Sequence, residues 1–233
     1  MASDHRVPRA FIFDCDGTLL DSMGMWLSIQ PELLARHGIE TVPSDFARFE
    51  HLSLEDECQA YHDTWGICSD GAEVLSELNA MLLEKYDGAI GERDGALDFL
   101  KEAYDAGIPM AVATSTPGHL VEIGLKRNGM GDMISRVTTT GEAGASKEHP
   151  DVYDLALKRL CDDFDLGDVD PSDVWVFEDA VFGLKGSGAG GYRRVGIFDP
   201  AGRAAAEDVR SNCEIYIESY RDLPLERILS YSR

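Results

Sequence analysis

Basic residues are scarce in this chain. Its 233 residues carry 21 Lys and Arg against 43 Asp and Glu, a formal net charge of −22. Nucleic acid and anionic membranes need basic surfaces, so neither is an expected partner. An anionic substrate would have to meet a locally positive site, supplied by a metal ion and a lysine. Long apolar runs are also missing, and nothing approaches the roughly 20 residues of a membrane span. Met1 to Arg9 lacks the apolar centre of a secretory signal. The five cysteines (Cys15, Cys58, Cys68, Cys161 and Cys213) are odd in number and contain no Cys-x-x-Cys pair. Reduced thiols and a cytoplasmic location are the expectation. The six histidines show no ligand spacing, so no zinc site is expected. Repeats and low-complexity segments are absent, and oligomeric state leaves no trace.

What is present begins with Phe11-Ile12-Phe13-Asp14-Cys15-Asp16-Gly17-Thr18-Leu19. An apolar stretch with no polar face reads as a strand buried on both sides. Carboxylates at the carboxyl end of such a strand stand where open α/β sheets form their ligand crevice. One aspartate can attack an electrophile while the other handles protons, and together they can hold a cation. An acidic turn is the plainer alternative. A calcium loop is not, because Gly17 comes too early for an EF-hand.

From Asp94 onward helix and strand alternate. Asp94 is expected to cap a helix carrying Ala96, Leu97, Leu100 and Tyr104 on one face. Strands are expected at Ile108–Ala113 (ending at Thr114-Ser115-Thr116), Ile134–Val137, Val174–Phe177 (ending at Glu178-Asp179) and Arg194–Phe198. Helices follow Thr116 and start at Pro150. This order predicts an α/β fold, a Rossmann-like doubly wound parallel sheet with helices on both faces. The segment from Asp21 to Arg93 shows helical spacing only, in Val74, Leu75, Leu78, Met81 and Leu82, in Trp26, Ile29, Leu33 and Leu34, and in Tyr61 and Trp65. It reads as a small helical domain inserted after the first strand. The division expected is core at 1–21, helical insert at 22–92 and the rest of the core at 93–233.

The Asp-x-Asp-Gly-Thr run after an apolar strand resembles the signature of the haloacid dehalogenase-like hydrolase superfamily, and the remaining motifs follow in family order. The resemblance covers nearly the whole chain and implies the following roles. Asp14 would be the nucleophile, forming an aspartyl phosphate, and Asp16 the acid/base. Gly17 would permit the turn that aims both, and Thr18 would stabilise it. Thr114, with Ser115 and Thr116, matches the second motif, which holds phosphoryl oxygens. Lys147 matches the third, a lysine before a helix opened by Pro-Asp; Glu148 replaces the usual proline, but Pro150-Asp151 keep their spacing. Glu178-Asp179 match the fourth and would complete a Mg²⁺ site. Its ligands would be the Asp14 carboxylate, the Asp16 main-chain carbonyl and Asp179, with Glu178 as a further ligand or a supporting group. The helix after this pair is usually alanine-rich. Here it reads Phe182-Gly183-Leu184-Lys185-Gly186-Ser187-Gly188, and each interior glycine costs about 0.8–1 kcal/mol against alanine, so a weak helix is expected.

Within the superfamily, Asp16 and the acidic pair argue against the metal-free dehalogenases and the phosphonate hydrolases. The β-phosphoglucomutase-like group shares the helical cap after the first motif. Its usual histidine, arginine and lysine, which hold a second phosphate, align with Trp26, Leu54 and Pro117. The resemblance therefore implies a phosphatase of a small phosphate monoester. The alternatives are a mutase-like phosphotransferase and a phosphometabolite-binding protein without turnover. Substrate contacts would come from the cap, around Trp26, His51 and Leu54.

Overall fold

The structure, a computed structural model, describes residues 8–49, 52, 54–88 and 90–231. Six parallel strands form one sheet: β1 (Ala10–Phe13), β2 (Met110–Thr114), β3 (Arg136–Thr139), β4 (Val174–Glu178), β5 (Arg193–Ile197) and β6 (Ile215–Ile217), in the order β3-β2-β1-β4-β5-β6. The chain winds outward from β1 through β2 to β3, then returns past β1 to continue through β4. Crossovers diverge on either side of β1, and in such sheets the ligand crevice lies at that switch point, beyond the carboxyl ends. Register places Phe13 beside both Val112 and Phe177.

β1 has no polar face because both its faces are covered. Phe11 and Phe13 meet Phe99, Phe177 and, through Phe99 and Phe177, Tyr220; the Phe13 and Phe177 rings stack at 4.3 Å. Such pairs contribute about 0.5–1.5 kcal/mol beyond their burial. Ala10 and Ile12 pack instead with Ala111, Val152, Tyr153, Ala156 and Val176.

The sheet helices are α4 (Ala96–Asp105), α5 (Gly118–Arg127), α6 (Thr140–Ala143), α7 (Asp151–Phe164), α8 (Val181–Ala189), α9 (Ala206–Arg210) and α10 (Leu225–Leu229), preceded in the chain by α1 (Met23–Arg36), α2 (Leu54–Trp65) and α3 (Gly71–Gly88). By packing, the chain divides into two units, residues through Asp21 with those from Gly91 onward, and Ser22–Ile90. The second is helical, with α1, a 3-10 segment at Pro43–Phe49, α2 and α3. Its buried residues include Ile29, Leu33, Leu34, Tyr61, Val74, Leu78, Met81 and Leu82, and Phe46, Tyr61 and Trp65 form an aromatic cluster.

Several local expectations need correction, and the second strand begins later than expected, at Met110 and not Ile108. Asp94 does not cap α4; its carboxylate accepts from Ser219 Oγ (2.6 Å) and Arg221 Nε (2.8 Å), and left-handed Gly95 stands at the cap. Tyr104 is 56% exposed, and the buried face of α4 is Ala96, Phe99, Leu100 and Ala103. β3 begins two residues later than Ile134, set by pairing with β2 alone. β6 was not anticipated: it is three residues long, at the sheet edge, within a polar stretch.

Candidate active site

Asp14 follows β1 directly, and its N–H donates to Phe177 O of β4 (2.8 Å), which ties the carboxylate to the strand pair at the switch point. The turn behind it closes through Leu19 and Leu20 N–H donating to Cys15 O (both 2.9 Å). Gly17 sits at φ 86°, the left-handed region that glycine enters without steric cost. Its N–H donates to Leu20 O (2.8 Å), so its part is to shape the turn. The outgoing and returning chains are joined here, Asp21 N–H to Gly91 O (2.9 Å) and Arg93 N–H to Leu19 O (2.8 Å).

Lys147, only 3% exposed, donates to the Asp14 carboxylate and to Glu178 Oε1 (2.7 Å). Glu178 is fully buried and also accepts from Tyr153 Oη at Oε1 (3.1 Å) and Ala180 N–H at Oε2 (2.9 Å). Asp179, 8% exposed, has Thr18 Oγ1 at 3.4 Å from its Oδ1. Thr18 thus faces the acidic pair, beyond its expected role in the turn. Thr116 Oγ1 donates to Asp16 Oδ2 (2.7 Å), and Thr116 N–H donates to Thr114 Oγ1 (3.0 Å). Thr114 is buried, and Ser115 is exposed.

The carboxylates of Asp14, Glu178 and Asp179 each bring an oxygen within 4.8 Å of the others. Burial pushes Asp14 up to about 7, with Glu178 and Asp16 adding to the rise and Lys147 opposing it. Asp179 is held well above the usual carboxylate range, by burial first and then by Glu178 and Asp14. Burial disfavours the charge on Lys147, yet Asp14 and Glu178 outweigh it and keep the ammonium above its usual range. One ammonium against three buried carboxylates leaves a site that gains from a hard cation, and oxygen-only donors are what Mg²⁺ takes. The residues fit that ion. Both Glu178 oxygens are engaged by protein donors, which suits it to holding Lys147 in place.

Two contributors escaped sequence reasoning. Tyr153 lies on α7, and its Oη donates to Glu178 at the carboxyl end of β4. The glycines of α8 are explained by proximity. A Cβ on Gly183 would collide with Glu178 Oε1 and come to 2.8 Å from Tyr153 Oη, and one on Gly186 would collide with the Lys147 carbonyl. Their absence lets α8 approach the Lys147–Glu178 pair, which a propensity argument alone does not reveal.

Of the expected site residues, Asp14, Glu178, Asp179 and Lys147 converge, and Asp16, Thr114 and Thr116 form an adjoining hydrogen-bonded set. Trp26 and Leu54 belong to the helical unit; the Trp26 indole N–H donates to Tyr86 Oη (3.1 Å), and Leu54 opens α2. His51 lies outside the described residues. Among the described residues no helix is long and apolar enough to cross a membrane.

The family model described as haloacid dehalogenase-like hydrolase matches residues 11–197. The chain is 27% identical to validoxylamine A 7'-phosphate phosphatase of Streptomyces hygroscopicus subsp. limoneus, over 82% of this chain and 83% of that protein. It is 30% identical to the pyrophosphatase PpaX of Bacillus velezensis, over 69% of this chain and 72% of that one. Among solved structures, a haloacid dehalogenase-type hydrolase, family IA, variant 3, from Entamoeba histolytica superposes with a TM-score of 0.77 at 19% identity, covering 95% and 97% of the two chains.

Proposed function

This chain belongs to the haloacid dehalogenase-like hydrolase family, and on that premise we propose that it is a Mg²⁺-dependent phosphatase of a small phosphorylated metabolite, working through an aspartyl phosphate on Asp14. The observation that carries the reading is the buried convergence of Asp14, Glu178 and Asp179 with Lys147 at the carboxyl ends of β1 and β4. Phosphatases among its relatives, including the one named for validoxylamine A 7'-phosphate, support the substrate class.

Asp14 attacks phosphorus in line, and the bond from phosphorus to the leaving oxygen breaks as the acyl phosphate forms. Lys147 orients the attacking carboxylate and offsets the repulsion between two anions. Asp16, whose carboxylate is held by Thr116 Oγ1, gives its proton to the leaving alkoxide. The same carboxylate then takes a proton from the water that attacks phosphorus, and inorganic phosphate leaves Asp14. Thr114 and Ser115 hold phosphoryl oxygens at the end of β2. Bound Mg²⁺, held by Asp14, Asp179 and the Asp16 main-chain carbonyl, would supply positive charge against the phosphoryl oxygens.

The helical unit is assigned the choice of leaving group, through Trp26, Leu54 and His51. Trp26, Leu54 and Pro117 stand at positions where mutase-like relatives carry cationic or polar groups for a second phosphate, which favours hydrolysis over transfer. The test is release of inorganic phosphate from p-nitrophenyl phosphate and from a panel of phosphorylated metabolites. Activity should require Mg²⁺ and vanish in Asp14→Asn, whose neutral amide cannot form the acyl phosphate. Phosphate release by Asp14→Asn at the wild-type rate would overturn the reading.

A further inference from the structure

Among the described residues, two groups of donor side chains converge closely enough to share a cation. One is the active-site carboxylate cluster; the other is His37, Cys68 and Glu77, inside the helical unit. His37 follows the last turn of α1, Cys68 lies in the loop between α2 and α3, and Glu77 stands on α3. His37 Nε2 is 2.8 Å from Glu77 Oε2, and Cys68 Sγ is 3.7 Å from His37 Nε2 and 3.8 Å from Glu77 Oε2. Three chemically different donors, brought from three segments, therefore point at one small volume.

The loop is built to hold the thiol there. Cys68 has φ 58°, a left-handed conformation uncommon for a residue with a Cβ. The chain is fixed on both sides of it. His62 Nδ1 pairs with Ile67 O (2.9 Å), and Ser69 donates to Glu73 Oε2 through both its N–H (2.8 Å) and its Oγ (2.7 Å).

We propose that His37, Cys68 and Glu77 form a second metal site, specific for a zinc-type divalent cation and separate from the active-site cluster. A tetrahedral centre with Zn–S of about 2.3 Å and Zn–N and Zn–O of about 2.0–2.2 Å has ligand-to-ligand edges of about 3.4–3.6 Å. The two edges involving Cys68, 3.7 and 3.8 Å, match within a few tenths of an ångström. The His37–Glu77 edge of 2.8 Å is a hydrogen bond, and it opens by about half an ångström when both atoms turn to a metal. The Cys68 proton, placed to bond Glu77, is released to solvent as the thiolate binds. Three protein ligands leave a fourth position for water. Nitrogen and sulfur donors select against Mg²⁺, the ion that the all-oxygen active site suits, so the two sites divide hard and borderline cations between them. The histidine spacing in the sequence gave no hint of this, since His37 is 31 residues from Cys68 and Cys68 is nine from Glu77.

Co²⁺ added to the reduced, metal-free full chain is the test. The expected spectrum has visible bands of tetrahedral intensity and a thiolate-to-cobalt charge-transfer band in the near ultraviolet, bleached by Zn²⁺. The charge-transfer band should disappear in Cys68→Ser, and His37→Gln should weaken Zn²⁺ binding by more than about a hundredfold. Asp179→Ala should leave both unchanged. In the unmutated chain, Zn²⁺ should slow alkylation of Cys68, mapped by mass spectrometry, while Cys161 and Cys213 react at unaltered rates. This last measurement does not depend on any variant folding. A charge-transfer band that persists in Cys68→Ser, or Cys68 alkylation indifferent to Zn²⁺, overturns the proposal. Because no readout is phosphatase activity, failure here leaves the hydrolase reading standing.

Discussion

Lys147 Nζ lies 2.7 Å from Glu178 Oε1 while also bonding Asp14, so a single ammonium joins the end of β1 to the end of β4. Glu178 is fixed in turn by Tyr153 and by the N–H of Ala180. The orientation of the Asp14 carboxylate thus depends on a chain of buried contacts that reaches α7 and α8.

Gly183→Ala tests that chain. Helix propensity alone would make it stabilising by about 0.8–1 kcal/mol. The added Cβ would collide with Glu178, and overpacking a filled site costs about 1–3 kcal/mol. Overpacking wins, so the variant should lose stability slightly. Displacing Glu178 and Lys147 should also cost kcat/KM about ten- to a hundredfold. A more stable variant with full activity would show that the close approach of α8 has no bearing on the site.

Proton and metal should compete at the carboxylate cluster. Without a cation Asp14 is raised from the ordinary 3.8 of an aspartate to about 7, so between those values the folded state binds more protons than the unfolded one. That group's contribution makes stability fall as pH rises from about 4 to about 7, and level off above. Mg²⁺ replaces the proton, so its stabilisation should be larger at about pH 8 than at about pH 6. Thermal melts with and without Mg²⁺ at the two pH values check the sign. Asp179→Ala should raise the Mg²⁺ concentration needed for half-maximal activity at least about tenfold. Undiminished phosphate release in excess chelator would remove the metal from the mechanism.

Mutase activity should be negligible. Supplied with β-glucose 1-phosphate and catalytic bisphosphate, the enzyme should release phosphate faster than it forms glucose 6-phosphate. A bisphosphate held for transfer needs cationic donors at both ends, and Trp26, Leu54 and Pro117 supply none. Isomerisation outrunning phosphate release by orders of magnitude would mean that other residues grip the second phosphate.

The strands nearest the site were legible because both faces of β1 and β4 are covered, leaving uninterrupted apolar runs that end in carboxylates. Patterning brings only the Asp14 carboxylate to notice, at the end of a buried apolar run; Lys147, Glu178 and Asp179 are singled out by the resemblance to the family's motifs in their order along the chain. What stayed hidden rests on distant contacts. Asp94 looks like a helix cap, but Ser219 and Arg221, 125 and 127 residues away, claim its carboxylate. β6 is an edge strand whose three residues carry too short a pattern to read. The glycines of α8 look like lost propensity until Lys147 and Glu178 are seen against them. His37, Cys68 and Glu77 share no periodicity, and they come together through the packing of α1 on α3 and the course of the loop between α2 and α3.

The central claim is that phosphate passes through a covalent bond to Asp14. The most direct measurement is to quench the enzyme during turnover, reduce with borohydride and sequence the peptide spanning Phe11–Leu19. An acyl phosphate is reduced to the alcohol, so homoserine should appear at position 14, only with substrate and Mg²⁺ present. Steady phosphate release with Asp14 recovered unmodified, or reduction at another carboxylate, would contradict the account.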